Sequence, residues 1–308
     1  MQTTFRKKAS KLMLTALAVL ATTAALWWGI FGLKPYQPSP EQVQARYDYS
    51  APLAFAPSLK HLGEHAYEIR FNSFDGAPVN GRIKYPSDPA QAKSPFPLLI
   101  AFHGLGRSHM RWWQSTYKGG ETLEHTHLVT EQALQQGYAV LALDARRHGE
   151  RKNLEYSVLD LMRDMKLWGK REPYEAMIID SIKDYRLLLD WLLPQPQIDG
   201  RKIQVSGYSM GGQMALILGA QEPRITAVAA IVPPHLDDKV AAVAPLRFAP
   251  ALADKKLWLL SADDDEVASL QQNQALFEAL PGREKKHLRF PGGHILPKDY
   301  PAQMRDWF

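Results

Sequence analysis

The sequence predicts a doubly wound, mostly parallel α/β sheet forming one domain behind an apolar N-terminal helix. Three observations predict it. Short apolar runs alternate with amphipathic stretches from residue 65 onward, the rhythm of strands joined by crossover helices. An uncharged stretch, residues 12–33, follows a basic flank. A strand-like run ends in Gly207-Tyr208-Ser209-Met210-Gly211 and is followed at once by a helix-like segment, residues 213–221. That last order, strand then sharp turn then helix, holds a serine hydroxyl out of the backbone where a base can reach it.

The elements follow in chain order. Residues 1–11 carry Arg6, Lys7, Lys8 and Lys11 and read as a cytoplasmic flank. Residues 12–33 are long enough to cross ~30 Å of hydrocarbon as a helix, and Trp27 and Trp28 would suit the opposite headgroup layer. The reading is an uncleaved signal anchor in the inner (cytoplasmic) membrane, single-pass, with the rest of the chain extracytoplasmic. The alternative is a cleaved signal peptide ending in the small residues 21–25, which would release a secreted protein. Residues 34–61 contain Pro35, Pro38, Pro40, Pro52 and Pro57 and read as an extended tether with one helical turn at 41–47. Strands are expected at 65–74, 78–85, 96–102, 138–143, 203–206, 226–231, 257–260 and 287–290. Helices are expected at 122–136, 178–193, 210–220 and 269–280. Residues 62–308 then make one domain of ordinary size. Residues 151–177 are too long for a plain connection. They hold Tyr156, Trp168 and Tyr174 among charges and read either as a lid over the pocket or as a surface helix.

Composition excludes several classes. The chain of 308 residues has a formal net charge of +5. The first 34 residues hold five basic side chains and no acid, so the remainder is neutral overall. The high pI therefore comes from the membrane flank, and no nucleic-acid partner is expected. No cysteine occurs, which excludes disulfides, thiol catalysis and a lipid-modified N-terminal cysteine. Glu124, His125 and His127 read as a solvated helix start, and no metal or cofactor is expected.

The chemistry gathers around Ser209. Gly207 and Gly211 let the chain bend tightly, and the helix after Ser209 aims free N–H groups at a developing oxyanion. His294, in Phe290-Pro291-Gly292-Gly293-His294, lies on a loop after the last strand and is the candidate base. An apolar strand also runs into Asp263-Asp264-Asp265-Glu266, one of which should orient His294. Phe102-His103-Gly104-Leu105-Gly106 follows an apolar strand. The N–H groups of Met210 and Leu105 are the candidate oxyanion donors, and His103 is read as a brace for that loop at the pocket wall.

On F-H-G-L-G, G-Y-S-M-G-G, the acidic turn and G-G-H, the chain resembles the α/β-hydrolase superfamily from residue 96 to the C-terminus. Within it the chain is similar to the dienelactone-hydrolase and prolyl-oligopeptidase-related serine esterases. The run Asp144-Ala145-Arg146-Arg147-His148-Gly149-Glu150-Arg151 resembles a structural loop of many such enzymes. The resemblance implies an eight-stranded, mostly parallel sheet and serine-dependent hydrolysis of an ester-like bond. In the family's common spacing the acid precedes a valine by three positions, which selects Asp264, with Asp263 and Asp265 left open. Ser261 and Ala268 depart from the usual Gly and Pro around that turn.

The reading is a membrane-anchored serine carboxylesterase with Ser209 as nucleophile, His294 as base, Asp264 as orienting acid and a small-molecule ester as substrate. Trp113 and Trp168 are expected to line the pocket beside Ser209 and to favour short acyl groups. A serine peptidase or amidase could use the same residues, and a non-catalytic binding module on the same fold is the third reading.

Overall fold

The computed structural model describes residues 2–308. Met1, and the side chains of the basic flank at Arg6, Lys7 and Lys8, lie outside the described residues. In chain order the elements are α1 (Gln2–Phe31), α2 (Pro40–Tyr47), β1 (Ser58–Gly63), β2 (Ala66–Asn72), β3 (Pro78–Lys84) and β4 (Phe96–Phe102). A short hairpin, β5 (Thr116–Tyr117) and β6 (Gly120–Glu121), precedes α3 (Thr126–Gln135), β7 (Ala139–Leu143), α4 (Val158–Trp168) and α5 (Glu172–Leu192). Then come β8 (Ile198–Tyr208), α6 (Met210–Gln221), β9 (Ala227–Ile231), α7 (Pro245–Phe248), β10 (Lys256–Ala262), α8 (Leu270–Ala279) and β11 (Glu284–Phe290).

The main sheet runs β1-β2-β3-β7-β4-β8-β9-β10-β11. The first four strands in that order pair antiparallel and the remaining pairs are parallel. The expected eight strands are therefore corrected to nine. The additional one is β1, an edge strand whose side chains are exposed or half-buried throughout, so it lacks the apolar alternation by which a strand is read.

The parallel centre is covered on both faces. On β4, Leu98, Ile100 and Phe102 enter one apolar cluster while Leu99 and Ala101 enter the other. This is the two-residue period of a strand buried on both sides. The first cluster takes in α5, α6 and Val43 and Tyr47 of α2. The second takes in Val129 and Ala133 of α3 and Tyr300, Met304 and Trp307 near the C-terminus.

Two expectations of organisation change here. Residues 34–61 are packed rather than extended as a tether. Ser39 caps α2 with a reciprocal capping box, Tyr47 is fully buried, and its hydroxyl donates to the Ala242 carbonyl at 2.9 Å. The domain accordingly begins ahead of residue 62. Helix α5 starts at Glu172 rather than 178, because Glu175 is buried against Arg46 and the Tyr36 hydroxyl. A carboxylate that reads as a surface charge is here an internal one.

At the N-terminus, α1 includes a 21-residue apolar stretch, Lys11–Phe31, exposed along its length apart from contacts of Trp27 and Phe31 with Trp168, with mean hydropathy 1.7. By length and composition it can cross a membrane, and a signal sequence would look the same.

Candidate active site

Strand β8 ends at Tyr208 and α6 begins at Met210, so Ser209 alone makes the turn. Its backbone sits at φ 57° and ψ −119°, a region costly for any residue with a side chain. The fold over-determines it. The Ser209 N–H donates to the Ile231 carbonyl of β9 at 2.8 Å, and the Ser209 carbonyl accepts from Gly212 N–H at 2.8 Å. The flanking glycines are required by close approach. A Cβ on Gly207 would lie 2.1 Å from the Gly211 carbonyl oxygen, and one on Gly211 would lie 2.2 Å from the Phe102 carbonyl oxygen.

His294 reaches this turn from the loop after β11. Its Nε2 lies 2.8 Å from Ser209 Oγ, and its Nδ1 lies 3.0 Å from both carboxylate oxygens of Asp265. A carboxylate only accepts, so Nδ1 carries the ring proton and Nε2 offers its lone pair to the serine hydroxyl. The loop is held by its backbone. Tyr208 OH donates to the His294 carbonyl at 2.8 Å and accepts from Leu296 N–H at 3.0 Å. Glu266 accepts the His294 N–H at 3.2 Å.

The sequence choice of Asp264 is corrected to Asp265. Asp264 donates its backbone N–H to the Gly292 carbonyl at 2.9 Å and is exposed, with no side-chain contact to His294. Asp263 is drawn outward by Arg289 at 2.7 Å. Asp265 turns inward, 7% exposed, and its Oδ1 also accepts Val267 N–H at 2.8 Å. That two-residue side-chain-to-backbone turn is the signal the three-residue count overlooked.

The donors expected for an oxyanion are positioned by chain order. Ser209's own N–H is engaged with Ile231, whereas Met210 opens α6 and its N–H has no intrahelical acceptor. Leu105 lies in the turn after β4, and among the described hydrogen bonds its N–H has no acceptor. Gly104 faces the serine, since a Cβ there would lie 3.7 Å from Ser209 Cβ.

His103 is 2% exposed and braces this turn. Its Nδ1 contacts the Gly104 carbonyl at 2.8 Å and its Nε2 accepts from Ala145 N–H at 3.1 Å. Burial pushes its pKa down to about 3, so it is neutral at ordinary pH. The neighbouring loop is fixed by Asp144, 1% exposed, which accepts from His109 N–H and from the Asn80 amide. Burial opposes its charge, but the hydrogen bonds and charge of His109 outweigh this and hold the carboxyl well below the usual range. Gly149, at φ +56°, is needed because a Cβ there would overlap Asp144.

The two tryptophans assigned to the pocket pack against other partners. Trp113 lies beneath the Arg82 guanidinium, 5.6 Å from its ring, and lines a cavity with Leu62, Ala66 and Lys84 at the antiparallel end of the sheet. Trp168 stacks on Trp27 and Phe31 of α1, with centroids at 4.5 and 5.4 Å. Both rings have apolar or cationic partners of their own. Trp112 is fully buried, and Met110 lines a separate cavity with Arg82, Asp144 and Gly149.

Comparison with known proteins bears on what this arrangement is. A family model described as acetyl xylan esterase (AXE1) matches residues 49–243, a span that includes Ser209 and stops before Asp265 and His294. The putative hydrolase YtaP of Bacillus subtilis (strain 168) is 29% identical over 150 residues, 48% of each protein, so the chain matches about half the length of that curated relative. Acetyl xylan esterase 1 from Thermoanaerobacterium sp. JW/SL YS485 superposes with a TM-score of 0.64 at 16% identity, covering 89% of this chain and 94% of that one. A cold-adapted esterase from an Arctic intertidal metagenomic library gives 0.60 at 22% identity, over 83% and 97%. At such identities the superpositions speak for the fold alone. The family match covers well over half of the chain, and on it the protein belongs to the acetyl xylan esterase (AXE1) family of α/β-hydrolase serine esterases.

Proposed function

We propose that the chain hydrolyses short-chain esters, acetate esters of hydroxylated compounds first among them, through an acyl-enzyme on Ser209. The observation that carries this is the continuous relay from Asp265 through His294 to Ser209, with contacts of 3.0 and 2.8 Å. Ser209 Oγ attacks the ester carbonyl carbon while its proton passes to His294 Nε2. Asp265 accepts from the Nδ1–H and stabilises the imidazolium. The negative oxygen of the tetrahedral adduct is met by the N–H groups of Met210 and Leu105, each worth ~10²–10³ in rate at comparable sites. Collapse breaks the C–O bond to the alcohol, which leaves with the proton from His294. Water then gives a proton to His294 and attacks the acyl group, and the carboxylic acid departs as Ser209 recovers its hydrogen.

The preference for acetate rests on the family's description. The narrower likeness to dienelactone-hydrolase and prolyl-oligopeptidase-related enzymes rests on the same residues and predicts the same chemistry. Helix α1 supports a reading as an uncleaved membrane anchor, with residues 34–308 on the extracytoplasmic side.

A p-nitrophenyl ester series from acetyl to hexadecanoyl, run beside acetylated xylo-oligosaccharides and peptide anilides, tests the reading. The expected result is highest kcat/KM at acetyl or propionyl, release of acetate from the oligosaccharides and no anilide cleavage. Turnover of anilides with esters untouched would overturn it.

A further inference from the structure

Helix α1 does not merely precede the domain. Its C-terminal end is seated on α4. The Trp27 indole N–H donates to the Leu167 carbonyl at 2.9 Å, and Trp27 and Phe31 close around Trp168. Gly169 caps α4 so near to α1 that a Cβ on it would lie 2.6 Å from the Phe31 carbonyl oxygen. The connection between helix and domain is short and stiff. Five residues past Phe31, the Tyr36 N–H donates to the Asp238 carbonyl at 3.0 Å, and its hydroxyl bonds Glu175. Five residues reach at most roughly 17 Å. Asp238 lies on the segment that leaves β9, whose last residue, Ile231, accepts the Ser209 N–H. The end of α1 is therefore tied, within five residues, to the segment that follows β9 and to the first turn of α5.

The outer face of α4 is unusual for a water-facing helix. Leu161, Asp164 and Met165 point inward, while Leu159 is 75% exposed, and Leu167 and Trp168 are 45% and 43% exposed. Leu154, just before the helix, is 90% exposed. Lys166 stands beside them, exposed and without an ion pair among the described residues. At ~100° per residue Leu159, Arg163, Lys166 and Leu167 fall within about 100° of one another on the outer side, Arg163 paired with Asp160, while Trp168 lies half a turn from Leu159 and faces α1. Apolar side chains interleaved with long cations suit a helix that lies in the headgroup layer of a bilayer. The rings of Trp27 and Trp168 stack at the domain end of α1, and tryptophan collects at membrane interfaces.

We propose that the outer face of α4 is a membrane-interfacial surface, seated in the bilayer next to α1, which turns the Ser209 edge of the sheet toward the lipid surface. The proposal rests on reading α1 as a membrane anchor. The occupant is the bilayer, because the face is continuous with the apolar helix and joined to it by direct contacts. A substrate then reaches Ser209 from the membrane side of the domain.

The absence of cysteine makes the test clean. Full-length protein bearing one NBD label, at Leu20→Cys in α1, Leu159→Cys on α4 or Arg201→Cys at the opposite end of β8, is reconstituted in phosphatidylcholine–phosphatidylglycerol vesicles. Doxyl-labelled lipids are then added. The proposal expects loss of most NBD emission at positions 20 and 159 and none at 201. Quenching at 20 without quenching at 159 overturns the proposal and leaves the anchor standing. A blue shift at 159 that doxyl lipid does not quench indicates a second copy of the chain on that face and overturns it too. Absence of quenching at 20 and 159 alike removes the anchor reading along with the proposal, and quenching at all three positions refutes a fixed orientation.

Discussion

At the residue scale the account turns on one aspartate. Asp265 contacts His294 Nδ1 with both oxygens, while Asp264 is exposed and joined to the histidine loop only by its backbone. Asp265→Asn is therefore expected to lower kcat for ester hydrolysis by about 10⁴, because the amide can hold the ring in the wrong tautomer. Asp264→Asn should leave kcat within a few-fold of wild type, since no hydrogen bond to His294 is lost. Steady-state kinetics on p-nitrophenyl acetate decide between them, and a dead Asp264 variant with a working Asp265 variant would reverse the assignment. The sequence made Ser209 and His294 legible because each sits in a local turn whose glycines advertise the geometry. The acid was not legible. Four consecutive carboxylates differ only in which way each side chain points, and that is set by Gly292 and Arg289, which lie more than twenty residues away.

At the scale of elements, the least expected packing is that of α2 on α5. Arg46 ion-pairs with Glu175, whose side chain is fully buried, and Tyr36 donates to the same carboxylate. Burial and that carboxylate together push the Tyr36 hydroxyl up to about 12. Removing one partner of a buried pair leaves a charge without compensation, which costs far more than an exposed pair is worth. Arg46→Ala is expected to lower the unfolding free energy of the full-length protein in detergent by about 3 kcal/mol. Denaturant titration measures it, and a loss below about 0.5 kcal/mol, the size of a surface effect, would show that the pair does not hold α2 in place. The strands of the parallel centre were readable from their continuous apolar runs. Edge strand β1 and the first turns of α5 were not, because exposed Ser58–Gly63 has no periodicity and Glu175 gives no sign in sequence that it is buried.

At the scale of the whole molecule, the buried histidines set how stability depends on pH. His103 has a folded pKa of about 3 against an ordinary value near 6.5, and burial displaces His148 and His287 in the same direction. Between pH 6.5 and 3 the unfolded chain holds a proton on His103 that the folded chain does not. The stability this residue contributes is complete above pH ~6.5 and falls as the pH drops toward 3. The unfolding free energy should thus decline from pH 7 to pH 5, and His103→Gln should flatten the lower part of that slope by as much as ~1.4 kcal/mol per pH unit. An unchanged slope would mean that His103 takes up its proton while folded. The doubly wound order was visible in the alternation of apolar and amphipathic segments, but the role of residues 34–61 was not. Their prolines suggest an extended tether, and only the tertiary partners of Tyr36, Arg46 and Tyr47 fasten them to the domain. All of this scaffolding serves one hydroxyl, and the most direct test addresses it. Full-length protein is treated with a fluorophosphonate probe and the adduct is located by peptide mapping. The account predicts one adduct, on Ser209, absent from a folded Ser209→Ala variant. An adduct on another residue, or undiminished labelling of the variant, would contradict it.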